Sequence, residues 1–397
     1  MRASSTSGNT LEDTRRRNVS AVLTLVHSVG PVSRAEIARD TGLSRSSVAT
    51  VIADLEIAGI VRQDAALPPG RAGRPSPVIA PTDQFLTVTI NPDVDGVRVA
   101  LCGLGGRIVA QTFRPSNRVL TPSEATESVA AAIADLHAEV PASRLIALCA
   151  AIPGRVDRSG VEIVNAPHLR WRNVPFAGML RDATGLPSQL VFDAVAGLAA
   201  EQHWGAARDT DDAVYLYGGP GGIGAAALVD GRILQGANGG VARLGHLLVA
   251  PDGPVCSCGN VGCLTTVVSS HILASAIGAP SVAPDQLHRA LLKHPSAHRS
   301  AVLERQLDYV STALRSIANI YDPDIVIMGG LFGLLMEFAG ESLLQRLSDS
   351  TASVLRAPAR LLAPALGENQ LLIGASDTAF GPLLNDPIGV SAVDVLA

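Results

Sequence analysis

The 397-residue sequence predicts an α/β protein in which an N-terminal winged helix-turn-helix precedes a two-lobed domain of the actin-like ATPase (ribonuclease H-like) fold. Two observations support this prediction. Residues 14–80 contain short helical patterns separated by turn residues, which is the layout of a helix-turn-helix. Residues 81–397 contain a strand and hairpin pattern at 86–101 that recurs at 214–229. Two such α/β halves around a cleft are typical of the actin-like architecture.

The composition indicates a globular protein without membrane partners. Hydrophobic residues make up 47% of the chain and no apolar run has membrane-spanning length, so we expect a cytoplasmic protein of two or three domains. Ten arginines against seven acidic residues give residues 1–80 a charge of +3, which leaves −8 for the rest of the chain. A basic N-terminal segment is compatible with phosphate binding but does not establish it. Residues 1–13 are rich in Ser and Thr, and we expect a disordered tail there.

The next segment, residues 14–80, is predicted to be a DNA-binding domain. Apolar spacing predicts a helix over 15–29, and a capping-box sequence at Ser33 opens a short second helix. Gly42 supplies a turn, and Ser44 can cap a third helix that runs to Ala58. The residues expected to contact bases or phosphates are Ser33, Arg34, Ser44, Arg45, Ser46, Ser47, Thr50, Arg71 and Arg74. The alternative is a three-helix module that binds another protein.

A wing is predicted after the third helix. Strand-like runs at 60–62 and 77–79 flank an Arg-Gly-Pro loop at 70–75. Arg71 and Arg74 on this loop are suited to a minor groove or its phosphates. The same loop is also suited to link two domains, and the two interpretations are compatible.

A cysteine-rich loop over residues 246–263 is predicted to bind zinc. Its candidate ligands are His246, Cys256, Cys258 and Cys263. Three thiolates and one imidazole complete a tetrahedral zinc site and leave no position for water, so the ion would be structural. The alternative, a disulfide with a spare thiol, suits a secreted chain, but the N-terminus has no apolar signal-peptide core.

With these pieces in order, the sequence resembles the ROK family of bacterial sugar-responsive repressors and sugar kinases over nearly its whole length. Beyond the winged module and the cysteine loop, the landmarks are Ile152-Pro153-Gly154, Ala166-Pro167, Asp230-Gly231-Arg232, Gly245-His246 and Asp322-Pro323-Asp324-Ile325-Val326-Ile327-Met328-Gly329-Gly330. The resemblance implies two functional classes, because the repressors carry an N-terminal DNA-binding module that most of the kinases lack.

The resemblance also allows the kinase machinery to be checked. Asp193 aligns with the catalytic base, although an Asp between a strand and a helix is also a good N-cap. The first phosphate hairpin, which resembles Asp-x-Gly-x-Thr in the kinases, here reads Asn91-Pro92-Asp93-Val94-Asp95. Its two carboxylates replace the glycine and the threonine and oppose the binding of ATP phosphates. The second hairpin, 218–224, keeps its glycines but lacks the usual threonine.

Four of the six sugar-contact positions implied by the family have also changed. The replacements are Phe192, His168, Arg243 and Thr265, whereas Asp193 and His246 are retained. We expect an effector to contact His168, Asp193, Arg243, His246 and Thr265 in a cleft that no longer catalyses a reaction. Arg243, His168 and His246 make this cleft more cationic than a kinase site, which favours a sugar phosphate or sugar acid. The alternatives are drift in an unused pocket, or an ion pair between Arg243 and Asp193.

The sequence thus predicts a transcription regulator without enzyme activity, a repressor of carbohydrate-related genes. It would be a homodimer or tetramer that binds double-stranded operator DNA and responds to a sugar-derived effector. Effector binding would shift the population of cleft openings, and the zinc loop would transmit the change. Two alternatives differ in class: an active or dual-function ATP-dependent sugar kinase using Asp193, and a zinc-stabilised scaffold whose N-terminal module binds protein.

Overall fold

The computed structural model describes residues 11–64, 77–240, 242–278, 284–293, 301–348 and 359–392. The helices are α1 (Leu11–Val29), α2 (Arg34–Thr41), α3 (Arg45–Ile57), α4 (Pro122–Glu139), α5 (Phe176–Thr184), α6 (Asp193–Trp204), α7 (Leu264–Val267), α8 (Ser270–Ala276), α9 (Pro284–Leu292), α10 (Ala301–Tyr321), α11 (Leu331–Ser348), α12 (Gln370–Asn385) and α13 (Pro387–Ala392). The strands are β1 (Val32–Ser33), β2 (Val61–Asp64), β3 (Val78–Pro81), β4 (Phe85–Asp93), β5 (Gly96–Gly103), β6 (Arg107–Pro115), β7 (Arg144–Ile152), β8 (Arg155–Val156), β9 (Ile163–Ala166), β10 (Trp171–Val174), β11 (Ser188–Phe192), β12 (Ala213–Gly219), β13 (Gly222–Val229), β14 (Arg232–Ile233), β15 (Ile325–Gly330) and β16 (Arg360–Leu362). No helix within these ranges is both long and apolar enough to cross a lipid bilayer.

The N-terminal module has the predicted helix-turn-helix layout, and local capping explains it. The Ser33 hydroxyl accepts a hydrogen bond from the Glu36 amide at 3.2 Å, and the Glu36 carboxylate accepts one from the Ser33 amide at 2.9 Å. Ser44 caps α3 by accepting from the Ser47 amide at 3.1 Å. The left-handed backbone that ends α2 falls on Gly42, where φ is 70°. The predicted turn and both predicted caps are therefore confirmed.

Helix α1 begins at Leu11, before the predicted start at Arg15. Because α1 starts at Leu11, the prediction of a disordered tail over residues 1–13 is wrong for residues 11–13. Glu12 and Asp13 place two carboxylates in the first turn of α1, where they interact favourably with the helix dipole. Residues 1–10 lie outside the described part of the chain.

A three-stranded antiparallel sheet in the order β1-β3-β2 completes the winged module. The short strand β1 was not predicted, whereas β2 and β3 correspond to the two predicted wing strands. The loop that joins β2 to β3, with Arg71 and Arg74, lies outside the described residues.

The large domain consists of two lobes with the same sheet topology. The first lobe has the strand order β11-β7-β4-β5-β6 and the second has β16-β15-β12-β13-β14. Each sheet begins with an antiparallel meander of three strands. The fourth strand pairs in parallel with the first strand of the meander, and the fifth strand pairs in parallel with the fourth. A small sheet of β8, β9 and β10 is attached to the core of the first lobe. This repeat explains why the strand and hairpin pattern recurs in the sequence.

Helices α6 and α12 fill the space between the two sheets. Ala194 and Leu198 of α6 pack with Tyr215 on the second sheet, in one buried apolar cluster. Ala196 of the same helix joins a different cluster, which contains residues of α12 and of strand β7 on the first sheet. Helix α6 is therefore in contact with both lobes.

The winged module shares a core with the large domain. The buried side chains of α1, α2 and α3 form one cluster with Phe85 and Ile146 of the first sheet and with Phe380 and Leu383 of α12. A continuous apolar core holds the module against the lobes because separating the two would expose these side chains to water.

Candidate effector cleft, metal cluster and DNA face

A cavity of about 140 Å³ lies between the two lobes and is bordered by Asp93 of the first hairpin and by the glycines of the second hairpin. All five residues predicted to contact an effector line it, namely His168, Asp193, Arg243, His246 and Thr265. They come from distant parts of the chain: a 3-10 turn after β9, the start of α6, a 3-10 turn at 244–246, and α7. The fold thus gathers the predicted set at one place.

Asp193 is buried at the base of this cavity. Its carboxylate accepts a hydrogen bond from the Ala194 amide at 2.6 Å. It is the first residue of α6, and Phe192 takes the N-cap position, so the N-cap interpretation of Asp193 is wrong. Burial, together with the nearby Asp93 carboxylate, raises the pKa of Asp193 to about 8. A carboxyl group with that pKa holds its proton at pH 7, so it is poorly prepared to remove a proton from a sugar hydroxyl.

Asp93 belongs to the first hairpin and lies next to the second. It ends β4, where it pairs with Gly96, and its Oδ1 accepts a hydrogen bond from the Val94 amide at 2.7 Å. A Cβ atom placed on Gly221 of the opposite hairpin would be only 2.8 Å from Asp93 Oδ1. Burial raises the pKa of Asp93 to about 6, so this carboxylate is mostly ionised at pH 7. An anionic group thus occupies the gap between the hairpins, which opposes phosphate binding there.

His168 and Thr265 pack against the turn of the second hairpin. A Cβ atom on Gly222, whose φ is 140°, would be 2.7 Å from His168 Nε2 and 3.2 Å from Thr265 Oγ1. The Thr265 hydroxyl also accepts a hydrogen bond from the Ile223 amide at 3.3 Å. Only glycine fits this turn, so the glycines of the hairpin have a structural reason to be present without any nucleotide. Burial lowers the pKa of His168, which favours its neutral form.

Arg243 does not pair with Asp193. Among the described residues it has no carboxylate partner, and its exposed side chain lies at the mouth of the cavity. Burial of part of the guanidinium and the charge of Arg155 both lower the pKa of Arg243. Arg155 also lines the cavity, although it was not among the contact residues predicted from the sequence. Its position directly after the Ile-Pro-Gly landmark was the only available signal.

The four predicted metal ligands converge on one point. His246 Nδ1 lies 3.5 Å from Cys256 Sγ, and Cys258 Sγ lies 3.6 Å from Cys263 Sγ. All four candidate donor atoms are within 4.8 Å of one another. A tetrahedral ion with bonds of about 2.3 Å would hold its sulfur ligands about 3.8 Å apart, which fits this arrangement. The Cys258–Cys263 separation far exceeds the roughly 2.05 Å of a disulfide bond.

Backbone hydrogen bonds fold the cysteine loop back on itself. The Cys256 amide donates to the Asn260 carbonyl at 2.7 Å, and the Gly262 amide donates to the Pro254 carbonyl at 2.9 Å. Cys258 and His246 also line the effector cleft. The metal cluster and the cleft therefore share a wall.

The DNA face predicted on the winged module is exposed at its arginines. Arg34 and Arg45 flank a groove that Gln63 and Pro77 also line, and neither arginine has an ion-pair partner among the described residues. Ser33 and Ser44 are engaged as helix caps, and the Thr50 hydroxyl donates to the Ser46 carbonyl at 3.1 Å. The arginines are thus the side chains most available to a nucleic acid.

Family models match both parts of the chain. A model of the ROK family matches residues 90–380, and a model of the DprA winged helix domain matches residues 7–66. The chain belongs to the ROK family.

Individual relatives include repressors and kinases. The xylose repressor of Bacillus subtilis is 25% identical over 360 residues, which cover 89% of this chain and 92% of that one. A ROK family transcriptional regulator, a homolog of the E. coli Mlc protein, has a similar structure, with a TM-score of 0.74 at 22% identity over 96% of this chain and 100% of that one. The ROK glucokinase of Streptomyces griseus, solved with glucose and AMPPNP, matches with a TM-score of 0.65 at 23% identity over 74% of this chain and 99% of that one. The two regulator matches thus cover more of this chain than the glucokinase match does.

Proposed function

We propose that the protein is a DNA-binding transcription regulator, a repressor of carbohydrate-related genes, whose operator affinity depends on a sugar-derived effector in the interlobe cleft. The observation that carries this proposal is the continuous core between the winged module and the cleft-bearing lobes. Relatives named as repressors, aligned over most of the chain, support it. Such a protein acts in the cytoplasm, where its DNA is found.

The cleft favours this proposal over the alternative of a sugar kinase that uses Asp193. The Asp93 carboxylate stands against the glycine hairpin, where it would repel nucleotide phosphates. The raised pKa of Asp193 leaves that residue protonated near pH 7. Both features reduce catalytic competence but leave the cleft free to bind a ligand.

We assign Zn²⁺ to the cluster of His246, Cys256, Cys258 and Cys263. Three sulfurs and one imidazole nitrogen suit zinc better than harder cations. The ion would contribute stability to the loop, since four protein ligands leave it no open position. Because His246 also lines the cleft, the metal would fix the orientation of one effector-contacting side chain.

Helix α6 provides a route from the cleft to the winged module, in addition to the zinc loop. Asp193 at its first position lines the cleft, and Trp204 at its last position donates a hydrogen bond to the His27 carbonyl of α1 at 3.1 Å. An effector that prefers one opening of the lobes would shift α6 and, with it, the two winged modules of a homodimer. Operator affinity would then change through the spacing of the two modules.

The test is binding of the full chain to DNA from immediately upstream of its own gene, at two salt concentrations, with and without a panel of neutral and anionic sugars. We expect tight binding that weakens steeply with salt and is relieved by one compound. Weak binding that does not depend on salt would support the protein-binding scaffold instead. ATP turnover that disappears in Asp193→Asn would support the kinase.

A further inference from the structure

We propose that Arg155 and Arg243 form an anion clamp across the mouth of the cleft, so that the effector carries a phosphate or carboxylate group. The inference rests on the proposed function in one respect, namely that the cleft is the effector site. It adds the chemical class of the effector and assigns Arg155, which lies outside the predicted contact set.

The two arginines belong to different lobes. Arg155 is on β8, whose next residue, Val156, is buried in the core of the first lobe. Arg243 is preceded and followed by Ala242 and Leu244, which are buried in the core of the second lobe. Both side chains are exposed and both line the same cavity. A ligand group held by both arginines would therefore connect the lobes.

Each guanidinium is available to a ligand. Among the described residues, neither guanidinium group has a hydrogen-bond or ion-pair partner. The two are close enough for the charge of Arg155 to lower the pKa of Arg243, alongside the effect of burial. Two nearby cations without a counterion are unfavourable, and an anion bound by both removes the repulsion. Phosphate and carboxylate oxygens match the fork of a guanidinium better than any neutral sugar hydroxyl does.

The residues that line the cleft make its two ends differ in charge. The carboxyl groups of Asp93 and Asp193 are buried at the base, whereas the two arginines are exposed at the mouth. A sugar would place hydroxyl groups near the protonated Asp193 and its anionic substituent toward the arginines. His168 and His246 also line the cavity, and each has a ring nitrogen available for hydrogen bonds to a ligand.

The clamp also explains how an effector would close the cleft. Without an anion, the arginines on opposite lobes repel each other; with one, both are drawn to the same group. The lobes already touch beside the clamp, where Arg158 of the first lobe donates to the Ala237 carbonyl at 3.2 Å. A small change in charge at this mouth can therefore alter the preferred opening of the lobes.

The test compares four full-length proteins by calorimetry at constant ionic strength: wild type, Arg155→Gln/Arg243→Gln, Arg243→Lys and Arg208→Gln. Arg208 is an exposed arginine away from the cleft, so its substitution removes the same kind of charge without touching the clamp. The ligands are glucose, glucose 6-phosphate, gluconate and inorganic phosphate. The phosphate and carboxylate arms distinguish the two kinds of anion.

We expect the wild type to bind one of the anionic sugars at least about tenfold more tightly than glucose, and Arg208→Gln to keep this preference. The double variant should lose it. Arg243→Lys, which retains the charge but not the fork, should keep only part of it. Equal or tighter binding of glucose by the wild type, no binding of any anion at millimolar concentration, or a preference that survives in the double variant would each overturn the clamp.

Operator binding without effector separates this inference from the proposed function. All four proteins should bind operator DNA equally, because none of the substituted arginines belongs to the winged module. Normal operator binding without anion preference would overturn the clamp alone. Absence of operator binding in the wild type would overturn the proposed regulator. Removing the two unpaired charges should leave the melting temperature unchanged or higher, which verifies that the double variant is folded.

Discussion

The imidazole of His27, in the last turn of α1, has its Nε2 atom 3.2 Å from Oδ1 of Asp377 on α12, and only 1% of its surface is exposed. Its Nδ1 atom accepts a hydrogen bond from the Gly105 amide at 3.1 Å, so the ring carries its proton on Nε2 and donates to Asp377. The ring also packs edge to face on Trp204, with 5.1 Å between the centroids. One buried side chain of the winged module is thus bonded to two elements of the large domain.

Substitution of His27 by Phe should destabilise the protein. The change keeps an aromatic ring beside Trp204 but leaves the Gly105 amide without its acceptor and removes one of the two histidine contacts of Asp377. We expect a loss of about 1–3 kcal/mol in the free energy of unfolding, measured by denaturant titration. Arg16→Gln is the control, because the Arg16–Asp386 pair spans 3.9 Å on the surface and should contribute almost nothing. Equal losses in the two variants would contradict this account.

The same junction should respond to pH. Burial alone would raise the pKa of Asp377, but its contacts with His203 and His27 lower it below the ordinary value. Asp377 in turn raises the pKa of His203, whose Nδ1 lies 3.3 Å from the carboxylate. The Asp377 contribution is present above its ordinary pKa and is lost in acid, whereas the His203 contribution is present below its ordinary pKa and is lost as pH rises.

We therefore expect Asp377→Asn to be most destabilising between about pH 4 and pH 6.5, and less so toward pH 8. The measurement is the free energy of unfolding of both proteins across this range. A penalty that increases steadily above pH 7 would be inconsistent with the His203 contact.

Substitution of Asp193 by Asn should stabilise the protein at neutral pH. Because folding raises the pKa of Asp193 from 3.8 to about 8, the wild type loses stability as pH rises through this interval. Asn is neutral at every pH and keeps an oxygen for the Ala194 amide. We expect no gain at pH 4 and a gain of at least about 1 kcal/mol at pH 8, by thermal or denaturant unfolding.

The substitution Asp157→Asn should have the opposite effect on stability. Its carboxylate accepts hydrogen bonds from the amides of Ser159, Val161 and Glu162 at 3.1, 2.8 and 2.7 Å. Although burial raises its pKa, these bonds and the Ser159 hydroxyl lower it to about 2. Asp157→Asn should therefore destabilise the protein at neutral pH. If Asp157→Asn and Asp193→Asn both stabilised the protein, the predicted difference between the two carboxyl groups would be refuted.

Removal of one thiolate from the metal cluster should release the ion. We expect purified wild type to contain about one zinc ion per chain and Cys258→Ser to contain much less, with a lower melting temperature. Ser257→Ala is the matched control, since its side chain lines the cleft but lies outside the ligand set. Metal content is measured by elemental analysis. Equal metal content in Cys258→Ser and wild type would exclude Cys258 as a ligand.

Loss of an exposed arginine from α3 should weaken DNA binding. Because Arg45 borders the groove of the winged module without an ion-pair partner among the described residues, Arg45→Ala should weaken operator binding and reduce the salt dependence by about one counterion. Arg181→Ala, on α5 of the large domain, should leave both unchanged. Fluorescence anisotropy at several salt concentrations measures the two quantities. An unchanged salt slope for Arg45→Ala would remove Arg45 from the interface.

Local signals made much of this fold predictable. Ser33 and Ser44 could be assigned as caps because a cap depends on residues three positions away. The metal cluster was equally accessible, since its three cysteines lie within a short loop. The two lobes were recognisable because each repeats the same order of strands.

Contacts between distant residues were not predictable in this way. His27 and Asp377 are 350 positions apart, and neither has a sequence pattern that indicates the other. Arg155 became a candidate only when β8 brought it into the same cavity as Arg243. The interpretation of Asp193 as an N-cap was wrong because helix α6 begins at Asp193 itself and Phe192 takes the N-cap position. The start of the helix is set by the backbone geometry at Phe192, which the polar side chain of Asp193 does not indicate.

The two tryptophans lie in different parts of the molecule, so the fluorescence of each one can report on its own part. The Trp204 indole donates to the His27 carbonyl at the boundary of the winged module, whereas the Trp171 indole donates to the Leu120 carbonyl inside the first lobe, at 2.9 Å. Emission from a Trp171→Phe protein would therefore come from the boundary alone, and emission from a Trp204→Phe protein from the lobe alone. Ligand titrations of this pair would report changes inside the first lobe separately from changes at the boundary of the winged module, with no attached dye.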